Sequence, residues 1–303
     1  MSEARVATHD APFFFTGSKG RKLFGFLHVP KIKPGQAPLV GLVHVHPFGE
    51  EKQMAHAVTV RTARQMAEAG FAVLRFDFSG CGDSEAELDE VTVEEWLEEI
   101  ALAMQELKDR TGVTQVILWG LRSGAGLILA YLNEAVSEAQ KPKGILLWQP
   151  QDNLEMAMHQ FLRQKIGTAL AAAGINAGSS TALMQGSGAA SNVPTVKGLL
   201  GDLSQGNRVE VMGYPLRDPL VQGFISRKRP TPELPKFDVE ILALGAAAEP
   251  TPAIATLAGN LRATGADVGL TSIIGTSFWD AYWRYDEPPF IASTLERMQL
   301  RWG

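Results

Sequence analysis

The segment at residues 116–130 holds the residues whose types and spacing suggest chemistry. Gly120-Leu121-Arg122-Ser123-Gly124 has the spacing of G-x-S-x-G, in which a nucleophilic serine stands on a sharp turn between a strand and a helix. Arg122 occupies the place of that serine, and Ser123 follows one residue later. A guanidinium is always protonated and has no lone pair for attack, so Arg122 is not a nucleophile.

The remaining members of a catalytic triad follow such a serine in the order acid, then histidine. The six histidines are His9, His28, His44, His46, His56 and His159, so none lies near the C-terminus where the base belongs. Ser277 stands at the place expected for that histidine, and Glu249 follows a predicted strand where the acid belongs. A glutamate at that place is also typical of a surface residue before a helix opened by proline. The triad-equivalent positions are therefore Arg122, Glu249 and Ser277, and the catalytic residues stay undefined.

Ser123 is the alternative nucleophile. A free serine hydroxyl is a weak nucleophile and needs an adjacent base. His46, or His159 from a predicted insertion, would reach it only in an unusual geometry. This alternative describes an active hydrolase of non-standard chemistry, and the sequence leaves open whether the chain is an enzyme.

Arg122 has two interpretations. It precedes a predicted helix, whose free N–H groups attract anions, and its guanidinium can bind a carboxylate or phosphate through two hydrogen bonds. A site for an anionic small molecule would then consist of His46, Phe48, Arg122 and Ser123. Alternatively, Arg122 makes a structural salt bridge, with Glu50, Glu51 or Glu249 as the partner.

Composition narrows the class of protein. The chain has 303 residues and a net charge of −5 at pH 7, with no basic run longer than residues 227–229, so we expect no nucleic-acid partner. Cys81 is the single cysteine, which excludes an internal disulfide and suits a reducing compartment. We find no signal peptide and no stretch long enough to cross a bilayer, and we expect a cytoplasmic protein.

Other groups that could carry chemistry have ordinary structural explanations. His44 and His46 face one side of a strand, but only His56 offers a third ligand, so we expect no metal and no cofactor. Cys81 lies between two glycines without a turn of the nucleophile type and is expected to be a small buried residue. An aromatic cluster near Ser277 packs the core or forms a wall for a ligand; its members are Phe278, Trp279, Tyr282, Trp283 and Tyr285.

The order of predicted elements indicates an α/β protein. A hairpin opens the chain around residues 17–20, and strands then alternate with helices, which predicts a mostly parallel sheet of about eight strands covered on both faces. Residues 151–234 interrupt the alternation after a strand, where a lid over a site would lie. We therefore predict a core of residues 1–150 and 235–303 with a lid insertion at 151–234.

Two further motifs support the α/β-hydrolase fold. Residues 77–84 match D-x-x-G-x-G-x-S, which such folds often carry after an earlier strand. His46-Pro47-Phe48 lies in "HVHPFGEE", where the loop that forms the oxyanion hole would follow its strand. Both motifs stand in the right order with the Gly120–Gly124 turn, so together they predict this fold.

Five segments, "HPFGEEKQ", "GCGDS", "WGLRSGAG", "WQPQDNLEMAMHQFLRQ" and "VEVMGYPL", resemble the exosortase A system-associated hydrolases of type 2. That family is similar to serine aminopeptidase-like α/β-hydrolases and occurs beside bacterial machinery for PEP-CTERM protein sorting and exopolysaccharide production. The resemblance implies a nominal ester or acyl hydrolase, with a protein partner in that machinery. Family membership supplies a fold and not a site, and the missing triad members predict a catalytically silent site that binds an anion.

Overall fold

The computed structural model describes residues 9–31, 40–134, 137, 140–172, 193–230, 232–280 and 287–303. The strands in this part of the chain are β1 (Ala11–Thr16), β2 (Lys22–His28), β3 (Gly41–Val45), β4 (Ala72–Phe76), β5 (Val116–Leu121), β6 (Gly144–Trp148), β7 (Val209–Val211), β8 (Tyr214–Leu216), β9 (Asp238–Gly245) and β10 (Asp267–Ile274). The helices are α1 (Glu50–Glu68), α2 (Val93–Thr111), α3 (Ser123–Asn133), α4 (Leu154–Ala172), α5 (Val196–Ser204), α6 (Asp218–Ser226), α7 (Pro252–Ala263) and α8 (Pro288–Trp302).

Eight strands form one sheet in the order β1-β2-β4-β3-β5-β6-β9-β10. The hairpin of β1 and β2 pairs antiparallel with β4, and the remaining pairs are parallel. The predicted α/β architecture, with about eight strands and an opening hairpin, is confirmed. The chain leaves β3 in one direction to form β4 and then returns to form β5 on its other side. In open α/β sheets, ligands bind at the carboxyl ends of strands where the order reverses in this way.

Both faces of the sheet are buried, which explains why β3 and β5 read as continuous apolar runs. Side chains of a strand alternate between faces. Val43 and Leu118 contribute to a core with α2 and α3, whereas Leu42 and Trp119 contribute to a core with α1 and α8.

The segment between β6 and β9 interrupts the alternation of strands and helices. Its first part forms α4. The part that follows contains α5, the β7–β8 hairpin and α6; residues 173–192 lie outside the described part of the chain. Phe161 of α4 and Phe224 of α6 place their rings 4.8 Å and 5.2 Å from that of Phe48, which follows β3. The inserted segment therefore packs over the carboxyl edge of the sheet, and its role as a lid stays a prediction.

Helix α2 begins with a capping box. The Thr92 hydroxyl accepts a hydrogen bond from the Glu95 N–H, and the Glu95 carboxylate accepts one from the Thr92 N–H, both at 3.3 Å. These bonds satisfy backbone donors that a helix N-terminus otherwise leaves unpaired.

The capping box supplies a stability prediction. Thr92→Ala removes the hydroxyl acceptor and is expected to lower the free energy of unfolding by about 1 kcal/mol. Thr92→Ser retains the hydroxyl and is the matched control, to be compared with the wild type in urea denaturation. Equal losses in the two variants would assign the effect to the lost methyl group and contradict the capping role.

Candidate functional site

One residue, Arg122, makes the whole turn between β5 and α3. Its backbone has φ 53° and ψ −120°, a conformation that costs a non-glycine residue about 1–3 kcal/mol. Four backbone hydrogen bonds hold it there: its N–H donates to Trp148 O, and its carbonyl accepts from the N–H groups of Ala125, Gly126 and Gln151. The surrounding backbone therefore imposes the turn and thrusts residue 122 above the carboxyl edge of the sheet.

The glycines of the motif permit this turn because other backbone occupies the space that a side chain would need. A Cβ on Gly120 would lie 2.7 Å from the backbone of Ala125, and a Cβ on Gly124 would overlap the carbonyl oxygen of Val45. The glycine spacing therefore reports close packing of α3 against β5 and the end of β3.

The Arg122 side chain makes an ion pair and an aromatic contact. Its Nε donates to Glu51 Oε1 at 3.2 Å, so Glu51 is its partner among the three carboxylates considered from the sequence. The guanidinium carbon lies 5.6 Å from the centroid of the Trp279 ring, within the range of a cation–π contact. Neither Nη1 nor Nη2 forms a hydrogen bond with any residue that the structure describes.

A pocket of about 380 Å³ opens above this turn. Its walls come from the loop after β3, the start of α1, α4, α6 and the segment after β10. Its charged described lining residues are three acids, Glu50, Glu51 and Asp280, and one base, Arg122. Burial raises the pKa of Glu51; the Arg122 guanidinium opposes this shift, and the Asp280 carboxylate adds to it. The contact with Arg122 is thus the interaction that favours the charged form of Glu51.

Ser123 lies at the same pocket but is committed to a structural hydrogen bond. It is only 2% exposed, and its Oγ accepts the backbone N–H of Phe48 at 2.9 Å. No histidine is among the described residues that line the pocket, so neither His46 nor His159 lies there to act as its base.

The four residues of the predicted ligand site are distributed over two neighbouring cavities. Arg122 and Ser123 line the pocket over the elbow, His46 lines a second cavity, and Phe48 lines both; that the four bind one ligand stays a prediction. His46 comes directly after the last residue of β3. Its Nδ1 lies 2.8 Å from Pro47 O, and its Nε2 accepts a hydrogen bond from the Phe78 N–H at 3.3 Å. Burial, followed by the nearby Lys52, lowers the pKa of His46 to about 4.

The other two triad-equivalent positions do not join Arg122. Glu249 is exposed and Ser277 is half-buried, and neither lines the pocket. Of the aromatic cluster, Phe278 packs in the core against Trp148 and Phe290, and Trp279 lines the pocket. Tyr282, Trp283 and Tyr285 lie outside the described residues.

The structure adds site residues that the sequence did not single out. Asp280 comes from the segment after β10, and Gln151, Gln160, Phe161 and Phe224 come from the inserted segment. Asp280 could have been found from the sequence, because it closely follows Ser277, the position where the fold expects a histidine. The inserted residues carry no pattern that marks them as a pocket wall.

Metal and thiol chemistry find no support in the described part of the chain. No group of three or more His, Cys, Asp or Glu is placed there to hold a metal ion, and the His44 ring packs 4.5 Å from that of Trp119. Burial raises the pKa of the Cys81 thiol to about 12, so this cysteine stays protonated and is a poor nucleophile. None of the described helices is long and apolar enough to span a bilayer.

Comparisons with known proteins agree with this geometry. The family model of serine aminopeptidases (S33) matches residues 41–187, and no curated protein matches the chain. Est1E of Butyrivibrio proteoclasticus, solved with ferulic acid bound, is 17% identical with a TM-score of 0.59, over 96% of this chain and 98% of its own. A putative hydrolase from Agrobacterium vitis is 17% identical with a TM-score of 0.52, over 98% and 99%.

A third solved structure has a fold class that its description states. The Xanthomonas campestris protein XC6422, described as an α/β serine hydrolase without a lid, is 14% identical with a TM-score of 0.51, over 98% of this chain and 94% of its own. The chain has the α/β-hydrolase fold. The β5–α3 turn lies where this fold has its nucleophile elbow, and Arg122 stands at the central position of the turn.

In enzymes of this fold, one donor of the oxyanion hole is the N–H of the residue after the nucleophile, and the other comes from the loop after β3. The groups at the equivalent positions of this chain are the N–H groups of Ser123 and Phe48. The Phe48 N–H is bonded to Ser123 Oγ, so a group of the protein itself occupies this donor.

The elbow geometry supplies a second stability prediction. Gly124→Ala is expected to lower the free energy of unfolding by about 3 kcal/mol or more, because the added Cβ meets the backbone of β3 and cannot be accommodated by a side-chain shift. Gly259→Ala in α7 is the control: its added Cβ meets nothing within 4 Å. We expect it to stabilise by about 0.5–1 kcal/mol through helix propensity. Similar denaturant midpoints for the two variants would contradict the close-packing account.

Proposed function

We propose that this α/β-hydrolase-fold protein is catalytically silent and binds an anionic small molecule at its former acyl site. The observation that carries the proposal is the hydrogen bond from the Phe48 N–H to Ser123 Oγ. It engages the hydroxyl nearest to the elbow and also fills the donor that an oxyanion would need.

The anion-binding part of the proposal rests on the free face of Arg122. Its Nη1 and Nη2 atoms make no hydrogen bond within the described residues, and two such groups match a carboxylate or phosphate. Arg122 also stands at the N-terminus of α3, an 11-residue helix whose unpaired N–H groups and dipole favour negative charge.

The acids of the pocket oppose an anion unless one of them loses its charge. Glu51 is placed to do so, because burial already raises its pKa and only Arg122 holds the pKa down. An anion that takes over the guanidinium removes this stabilisation and adds repulsion, so Glu51 takes up a proton as the anion binds. In the proposed site, Arg122 exchanges the Glu51 carboxylate for the negatively charged group of the ligand.

The alternative is an active hydrolase that uses Ser123, and the match to the serine aminopeptidase family favours it. It requires Ser123 Oγ to leave the Phe48 N–H and to find a base outside the described pocket lining. Loss of nucleophile and base together costs a serine hydrolase about 10⁶ in turnover, which makes the silent form the better-supported proposal.

The biological setting is part of the same proposal. The resemblance to the exosortase A system-associated hydrolases suggests a cytoplasmic protein with a partner in PEP-CTERM sorting or exopolysaccharide production. Deletion of the gene, complemented with wild type or with Arg122→Gln, tests this link by the amount of exopolysaccharide produced. Normal production in the deletion strain would contradict it.

The catalytic prediction is the absence of serine-hydrolase turnover. The purified wild type, Arg122→Ala and Ser123→Ala are expected to hydrolyse short p-nitrophenyl esters no faster than a protein-free blank, and a fluorophosphonate probe is expected to leave no adduct by mass spectrometry. The reason is that a serine without a base does not attack an ester. Turnover or labelling of the wild type that Ser123→Ala abolishes would establish the alternative.

The binding prediction concerns pH. Methanesulfonate keeps its single charge at all pH values used, so a change in its affinity reports on the protein. Because binding is coupled to proton uptake by Glu51, we expect the affinity to rise by about 3–10-fold from about pH 8 to about pH 5. Calorimetry with Glu51→Gln should show tighter binding with little pH dependence, and Arg122→Gln should show little binding at this pocket. A pH dependence that survives in Glu51→Gln would assign the proton to another group.

A further inference from the structure

A second and larger cavity, of about 730 Å³, lies beside α1 on the face of the sheet that α1 covers. Its walls come from α1, β2, the end of β3, β4 and the Gly80–Asp83 loop. Four of the six histidines line it, namely His28, His44, His46 and His56, and we call it the histidine-lined cavity. It does not include Arg122 or Ser123, and Phe48 is the one described residue that it shares with the pocket over the elbow.

The charged described residues of the cavity wall are three cations, Lys52, Arg64 and Arg75, and two acids, Asp77 and Asp83. Lys52 makes an ion pair with Asp77 at 2.7 Å. Arg75, half-buried on β4, donates from Nε to His28 Nε2 at 3.1 Å; the charge of Asp77 acts on Arg75, but Arg75 makes no ion pair with a described carboxylate. A partly desolvated guanidinium without such a partner is costly, which favours an anion beside Arg75, in a cavity that the exposed Arg64 also lines.

His44 provides an independent sign of a missing partner. It lines the cavity and is only 5% exposed, yet its Nε2 has no hydrogen-bond partner among the described residues. A buried polar atom of this kind is rare in a folded protein and needs a water or a ligand. His56, which lines the same cavity, is exposed on α1, so the wall of the cavity reaches the protein surface.

The walls also indicate an apolar part of the ligand. Phe24 and Phe26 of β2, together with Phe48 and Tyr214, line the cavity. The Arg75 guanidinium carbon lies 5.4 Å from the centroid of the Phe26 ring, so the positive charge lies beside an aromatic surface. Ligand sites are mostly apolar, with a few polar groups that orient the ligand.

We propose that the histidine-lined cavity is a second ligand site that takes an organic anion, with its carboxylate or phosphate on Arg75 and Arg64 and its apolar body against Phe24 and Phe26. This inference does not depend on anion binding at Arg122. One ligand then accounts for the Arg75 guanidinium that lacks an ion pair with a described carboxylate, for the His44 Nε2 without a described partner and for the aromatic wall.

Binding at this cavity has a specific spectroscopic signature. The pKa of His56 is lowered by burial and then by the charges of Arg75 and Lys52, against the opposing charge of Asp77. An anion placed on Arg75 offsets that positive charge, so the titration midpoint of His56 is expected to move to higher pH. An anion bound at the elbow pocket leaves this midpoint unchanged.

The test uses the full chain with phenyl phosphate, benzoate and inorganic phosphate as probes. We expect phenyl phosphate or benzoate to bind, and the stronger of the two identifies the headgroup. Inorganic phosphate should bind at least about tenfold more weakly than phenyl phosphate, because it lacks the apolar body. Arg75→Gln should weaken binding by about tenfold or more, and Arg64→Gln, which changes an exposed residue, by about threefold.

Two control variants separate this site from the rest of the protein. Arg122→Gln alters the elbow pocket, and Arg163→Gln removes an exposed arginine of α4 that lines neither pocket. Both should retain the affinity for phenyl phosphate within about twofold and the upward shift of the His56 midpoint by NMR. The proposal is overturned if no probe binds at about 10 mM, far weaker than ordinary ligand affinities. It is also overturned if binding survives Arg64→Gln and Arg75→Gln but is lost in Arg122→Gln, or if the His56 midpoint does not move.

Discussion

The absence of side chains at residues 120 and 124 is the constraint on which the site depends. A Cβ at either glycine would collide with backbone of α3 or with the end of β3. Because neither position carries a side chain, α3 starts almost directly after β5. Arg122, between them, adopts a positive φ of 53° at the carboxyl edge of the sheet. The same contact brings Ser123 within hydrogen-bond distance of the Phe48 N–H. The turn therefore fixes both the residue that faces the pocket and the residue whose hydroxyl accepts the Phe48 N–H.

A positive charge at the elbow changes what the neighbouring residues must do. A partly desolvated guanidinium is stabilised by a counter-charge, and Glu51, from the first turn of α1, supplies it while the Trp279 ring lies beside the cation. Glu51 is itself desolvated and lies near Asp280, and both effects raise its pKa. The electrostatics of the pocket thus follow from an arginine at the centre of the turn and from the acids that face it.

Much of the scaffold could be predicted from the sequence because its signals are local. Glycine spacing gives the elbow, Thr92 and Glu95 give the start of α2, and continuous apolar runs give the buried strands. His46 lines the same cavity as His44, two residues before it, as strand alternation predicts, whereas Arg122 lines the pocket over the elbow. The elements β7, β8 and α6 were missed because each has at most nine residues, and they are stabilised by packing on Phe48 and α4 rather than by their own periodicity.

The serine one place after the centre of the turn satisfies a backbone donor that would otherwise be buried without a partner. An unpaired buried N–H costs about 1–3 kcal/mol, and Ser123 Oγ accepts the Phe48 N–H at 2.9 Å. A serine placed at 122 would face no histidine in the described pocket lining, and the Phe48 N–H would already be engaged. Arg122, Glu51 and Ser123 therefore depend on one turn, which places the guanidinium beside its carboxylate partner and the hydroxyl beside the backbone donor.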